Sequence, residues 1–239
     1  MSEWKAKRFW KTASVADAPG GFTVELDGRS VKTPAKALLV VPSHALAARI
    51  AEEWDAQGEV VDPLSMPYTR SANAAIDKVT HQHGEVAQLL ADYGDADLLC
   101  YRAEGPDSLI ARQKAAWDPI LDWAAEVLEA RLTPVTGVIH RPQSPDVLAG
   151  LSARVHAMDA FTLTAFHDLV GMSGSLILGF AALYDHKPAA EIWQLSRVDE
   201  LWQAEQWGDD DEALELAAKK ESDFLHAKSF HDLASRPSD

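Results

Sequence analysis

Along the first forty residues of this chain apolar and polar residues alternate. Phe22, Val24 and Leu26 share one face of a two-residue repeat, Asp27-Gly28 interrupts it, and Val31 resumes it. Alternation on both sides of an Asp-Gly pair predicts a β-hairpin with one covered side. KRFWKTASV with Gly20-Gly21 extends the β region upstream, and residues 37–41, ALLVV, give a further short strand. The period then lengthens. After Pro42-Ser43, the apolar positions Leu46, Ile50 and Trp54 recur every fourth residue in SHALAARIAEEWDAQG. They predict a helix laid over the hairpin, ended near Gly58, with Trp54 at least half buried between sheet and helix.

A stretch punctuated by Pro63 and Pro67 follows, and beyond it the pattern is helical. The fold class is therefore read as α+β, with a small N-terminal sheet module covered by a helix over residues 1–66 and a larger all-α helical bundle over residues 67–239. Pro67 is placed to start a helix toward Val79, and residues 84–93 form another, with Val86, Leu89 and Leu90 pointing inward. In DSLIARQKAAWDPILDWAAEVLEARL, the apolar positions Ile110, Trp117, Ile120, Ala124 and Val127 form a stripe that Asp118-Pro119 either kinks or divides. Ser144 and Pro145 open the next helix. Residues 161–184, FTLTAFHDLVGMSGSLILGFAALY, carry no charge after Asp168 and no polar face, so they are read as one buried central helix, with Gly171, Ser175 and Gly179 as a stripe for close approach. The uncharged part is shorter than the roughly 20 residues needed to span a bilayer, so no membrane insertion is expected. Pro188 opens a helix running to Gly208, and Asp209, Asp210, Asp211 and Glu212 place negative charge at the start of the last one.

Composition is that of a globular protein, 47% hydrophobic and 25% charged. A net charge of −15 works against phosphate backbones, so nucleic acid is not an expected partner. The single cysteine, Cys100, excludes an internal disulfide, and MSEWKAKRFWK lacks the apolar core of a secretion signal. A cytoplasmic protein is expected, and a mitochondrial matrix protein with its leader already removed would look the same.

Chemistry-bearing motifs are sparse. The sequence contains no phosphate loop, dinucleotide fingerprint, paired-cysteine zinc spacing or Gly-x-Ser-x-Gly elbow. His81 and His83 on a helix point to different faces, His167-Asp168 are adjacent rather than facing, and Cys100 sits among Leu98, Leu99 and Tyr101 as a small buried hydrophobe. A small metal- or cysteine-dependent hydrolase using Cys100 or His167 and Asp168 stands as one alternative, and a non-catalytic scaffold as another. The unusual segment is 191–208, where Trp193, Trp202 and Trp207 mix with Asp199, Glu200 and Glu205. A stripe of Ile192, Leu195, Val198 and Trp202 leaves Trp193, Glu200 and Trp207 nearer the rim. Aromatics beside acids suit a protein-binding surface, and equally suit a large core ringed by solvated carboxylates.

RFWK at Arg8, GGFTVELDGRSVKTP at Gly20, VPSHALAARIAEEWDAQ at Val41, LLCYRAEGPDSL at Leu98, WDPILDW at Trp117 and SRVDELWQAEQWG at Ser196 together resemble one family. It is the family of chaperones that guard the alpha subunit during assembly of the catalytic head of F-type ATP synthase. The resemblance implies a small β-containing N-terminal domain, a helical C-terminal domain, no enzymatic activity and no cofactor. It further implies a monomeric holdase whose functional carboxylates fall in SRVDELWQ, at Asp199 or Glu200, and whose EEW tryptophan is Trp54. Leu201 and Trp202 stand where some relatives carry an acid and a tyrosine. Trp193, Glu205 and Trp207 complete the expected partner-binding set.

Overall fold

The computed structural model describes residues 7–208 and 210–236. Its elements divide between two compact units, the first holding residues 7–82, 159–165 and 229–236, the second residues 83–158 and 166–228. The first unit thus runs past residue 66 and includes the helix that Pro67 opens. Asp209, one of the acids placed before the last helix, lies outside the described residues.

In the first unit β1 (Ala13–Ala18), β2 (Gly21–Leu26) and β3 (Arg29–Ser30) form an antiparallel meander, and β4 (Val40–Val41) joins β2 through Phe22↔Val41 and Thr23↔Val40. The β2–β3 turn has φ of +49° at Asp27 and +79° at Gly28, the left-handed pair that a tight hairpin needs. Asp27 also secures the preceding chain, its carboxylate accepting from the Thr12 and Lys11 amides, which lowers its pKa. Val24, Leu26, Val31, Leu39 and Val41 are buried on one face. Leu46, Ala47 and Ile50 of α1 (His44–Asp55) cover them. Ser43 caps α1, accepting from the Leu46 amide.

Two side chains explain motifs that carry no chemistry. Arg8 of RFWK donates from Nη1 to the carbonyl of Asp55 at 2.8 Å and to that of Gln57, and from Nε to that of Trp10 at 3.1 Å. A cation is thereby spent on carbonyls that the end of α1 leaves without helical partners. Glu53 of EEW is buried, and its carboxylate accepts from the amides of Tyr68 at 2.7 Å and Thr69 at 2.8 Å. Those amides open α2 (Pro67–Ala74), whose own first residues supply no side-chain cap. Burial raises the Glu53 pKa, and the same hydrogen bonds oppose the rise. The helical turn continues from α2 as a π-segment, Ala75–Val79.

The second unit is built from α3 (His83–Ala91), α4 (Asp107–Val127), α5 (Pro145–His156), α7 (Leu176–Leu183), α8 (Ala189–Ser196) and α9 (Val198–Trp207), with most of α6 (Ala160–Ser173) and of α10 (Asp211–Ala234). A short parallel pair, β5 (Tyr101–Arg102) with β6 (Val135–Thr136), is its only sheet among the described residues. The α+β class read from the pattern is the one observed. Asp118-Pro119 lies within a single helix, α4, and Leu89, expected inward, is 54% exposed while Ala87 and Leu90 take the buried face.

The expected central helix is two helices. Ser173 Oγ donates back to the Leu169 carbonyl at 2.6 Å, Gly174 turns left-handed at φ +71°, and Ser175 caps α7 by accepting from the Leu178 amide at 3.0 Å. Ser-Gly-Ser is thus a helix stop followed by a helix start. Nor is there a small-residue stripe, because Gly171 is exposed. Gly179 does mark a close approach: a Cβ there would sit 2.6 Å from Val170 Cγ2 and 3.0 Å from the Phe166 ring, so α6 packs directly on the α7 backbone. All eight residues of α7 are buried. Among the described residues no helix is long and apolar enough to cross a membrane.

Asp97 anchors this junction. Fully buried, it accepts from Ser175 Oγ at 2.7 Å, the Ile177 amide at 3.0 Å and the Leu99 amide at 3.0 Å. Burial pushes its pKa up to about 6, against these hydrogen bonds. A carboxyl whose folded pKa lies above its unfolded value favours the fold when protonated. Its contribution is therefore complete below about pH 4 and lost as the pH rises through 6. Stability from this group should increase by about 1 kcal/mol between pH 7 and pH 5, and Asp97→Asn should remove that increment. Denaturant melts of both proteins at the two pH values would show it, and parallel pH dependences would contradict it.

Candidate functional site

The acid- and tryptophan-rich segment is broken at Arg197, with φ −108° and ψ 12°, into α8 and α9 rather than forming one helix. Ser196 Oγ turns back to the Trp193 carbonyl at 2.7 Å, and the Arg197 amide closes on the Gln194 carbonyl at 3.1 Å. Asp199 and Glu200 then occupy the first turn of α9, where the helix dipole favours carboxylates. Ser followed by Asp and Glu within four residues was the available sign of that start.

The break moves Trp193 from its expected place at the rim, while Trp207 stays there. Trp193 is 2% exposed, packed beside Phe224 with ring centroids 5.7 Å apart and with Arg197 over its ring, so it belongs to the core and not to the rim. Trp207 is 75% exposed, its ring perpendicular to that of Trp202 with centroids 5.9 Å apart. Leu201 is also exposed, as are Leu214 and Leu216 of α10. Exposed apolar side chains of this size cost solubility without adding to the fold. Trp54 lies in the first unit, where it packs partly buried against that unit's core.

Each acid of α9 is held. Gln113 Nε2 donates to Asp199 Oδ1 at 2.7 Å while Gln113 Oε1 accepts from the Ala103 amide, so Asp199 is tied to α4. Arg197 Nη1 lies 2.7 Å from Glu200 Oε1, and Arg112 Nη2 reaches both oxygens of Glu205 at 2.9 Å. The carboxylates of Glu200 and Glu205 remain about half exposed, at 48% and 53%. Paired, half-exposed carboxylates on a helix that also carries exposed apolar side chains suit contact with a protein better than a pocket for a small molecule. Gln113 and Arg112, which hold these acids, and Leu201, Leu214 and Leu216 were not singled out by pattern.

The alternative chemistry has less support. Cys100 is buried, and burial beside Asp97 pushes its thiol up to about 12, far from a nucleophilic thiolate. His83 Nε2 bonds the Met158 carbonyl at 2.7 Å, and among the described residues no cluster of three metal-ligating side chains occurs. His167 Nδ1 does contact Asp168 Oδ1 at 3.0 Å, contrary to the expectation for adjacent helical residues, and the hydrogen bond raises the histidine pKa. Both side chains are substantially exposed, an unfavourable setting for acid/base work.

A family model described as ATP12 chaperone protein matches residues 7–125. The crystal structure of Atp12 from Paracoccus denitrificans is 49% identical, covers 97% of this chain and all of its own, and superposes with a TM-score of 0.94. A chaperone-like protein of Agrobacterium tumefaciens is 42% identical over 96% of this chain and 86% of its own, with a TM-score of 0.90. Protein atp12, mitochondrial, of Schizosaccharomyces pombe is 26% identical over 223 residues, 88% of this chain and 76% of the yeast protein. With the same chain path shared along almost its whole length at nearly half identity, the chain belongs to the ATP12 chaperone family.

Proposed function

We propose that this protein is a holdase for the unassembled alpha subunit of F-type ATP synthase, acting in the bacterial cytoplasm as a monomer and without catalysis, metal or nucleotide. Before assembly the alpha subunit exposes the surfaces that will meet its beta neighbours, and obligate interfaces of that kind are apolar enough to aggregate. The observation that carries the reading is the exposure of Leu201 and Trp207 on α9, the helix whose half-exposed carboxylates pair with Arg197 and Arg112. Apolar side chains supply contact area, and the fixed acids add orientation at little entropic cost. Asp199, Glu200, Glu205 and Trp207 are the proposed contact residues. Trp193 is excluded by burial, and Trp54 is assigned to folding.

Light scattering of alpha subunit diluted from denaturant tests this. One equivalent of the chain should suppress the rise with no ATP present. Scattering unchanged by the chain would remove the holdase reading.

A further inference from the structure

The turn from α9 into α10 stands clear of the core of the second unit. Every described residue from Glu205 to Leu216 is exposed, so solvent reaches the start of α10 from all sides. Three large apolar side chains lie on that stretch, Trp207 at 75%, Leu216 at 54% and Leu214 at 49%. Folding has no use for them there, since exposure forgoes the gain of burial. The helix turns to core packing only further on, where Phe224 is buried against Trp193.

Charge indicates what would cover them. From Val198 to Ala218 the sequence carries eight carboxylates and no Lys, Arg or His. Glu200 and Glu205 are paired with Arg197 and Arg112. Asp210, Asp211, Glu212 and Glu215 have no ion-pair partner among the described residues, and the Asp210 carboxylate accepts from the Glu212 amide at 3.1 Å. The next cations along the chain are Lys219, bonded to Asp223, and Lys220 beside Glu221. On α4, the helix that holds Asp199, Lys114 follows Arg112 and lines a groove with Arg102 and Asp118. Even with Lys114 included, the ten carboxylates between Arg197 and Asp223 stand against five cations. The dipole of α10 accounts for acids in its first turn, but not for Glu215 or the bare leucines.

Geometry narrows the occupant further. Leu214 and Leu216, two residues apart on a helix, point to different sides, so one flat surface cannot cover both. A groove that takes the start of α10 between its walls can. We infer that the α9–α10 turn inserts into an apolar groove of the alpha subunit whose rim carries Lys or Arg. This rests on the proposed holdase function and names the chemistry of the client face that it meets. The uncompensated carboxylates attract a basic rim and repel an acidic one, while the leucines and Trp207 fill the groove.

The test is binding of isolated alpha subunit, measured by fluorescence anisotropy at low and at high salt. Leu214→Gln/Leu216→Gln retains helix propensity, so it should keep the wild-type melting midpoint and raise Kd at least about tenfold at both salt levels. Glu212→Gln/Glu215→Gln should raise Kd at low salt and change it little at high salt. None of these four residues belongs to the contact set proposed above. Wild-type affinity in either variant would therefore overturn this inference and leave the holdase reading intact. No binding by the wild-type chain would overturn both. Early melting of the leucine variant would show that these side chains serve the fold, and would overturn the inference by itself.

Discussion

Trp54→Ala is expected to lower the stability of the first unit by roughly 3 kcal/mol, the low end of what truncating a buried tryptophan costs. The low end applies because Trp54 is partly exposed. Its ring meets Trp10 edge-on at 5.2 Å, and its carbonyl accepts from Trp10 Nε1 at 3.2 Å, so truncation opens a space beside a second tryptophan that itself is buried. Its own indole N–H is buried without a hydrogen-bond partner among the described residues, a cost that truncation relieves. Trp54→Phe keeps most of the packing and removes that orphan, so it should cost much less than Trp54→Ala. Chemical melts of the three proteins measure the order. An unchanged midpoint in Trp54→Ala would transfer this residue from the fold to the client surface.

Glu200→Gln is expected to do the opposite, leaving the melt alone and weakening client binding. In the free protein Glu200 pairs with Arg197 on the surface, a contact worth roughly 0–1 kcal/mol. Once a client covers the pair, the carboxylate is desolvated against whatever base the client offers, and its loss costs about 2–5 kcal/mol. At the lower bound Kd rises about thirtyfold. Glutamine preserves size and the helix, so steric effects stay out of the comparison. A variant that melts early, or one that binds as tightly as the wild type, would remove Glu200 from the contact.

What the sequence shows of this molecule depends on how local the cause is. The hairpin at Asp27-Gly28 and the capped helix after Ser43 are set by neighbours a few residues apart, and both are found as read. Ser173-Gly174-Ser175 carried a stop and a start equally locally, but uniform hydrophobicity on either side hid it. The break at Arg197 was hidden likewise inside a continuous apolar period, and with it went the position of Trp193. The partners of the acids were beyond pattern altogether. Gln113 and Arg112 lie 86 and 93 residues from Asp199 and Glu205, and no periodicity joins positions that far apart.

The claim that this chain occupies the beta-facing surface of the alpha subunit is met most directly by a displacement measurement. Alpha subunit held soluble by one equivalent of the chain is mixed with folded beta subunit, and the species are separated by size with their masses read by light scattering. The account predicts that alpha passes into alpha–beta assemblies while the chain elutes free. A stable species containing all three proteins would contradict it, since the chain would then be bound elsewhere on the alpha subunit.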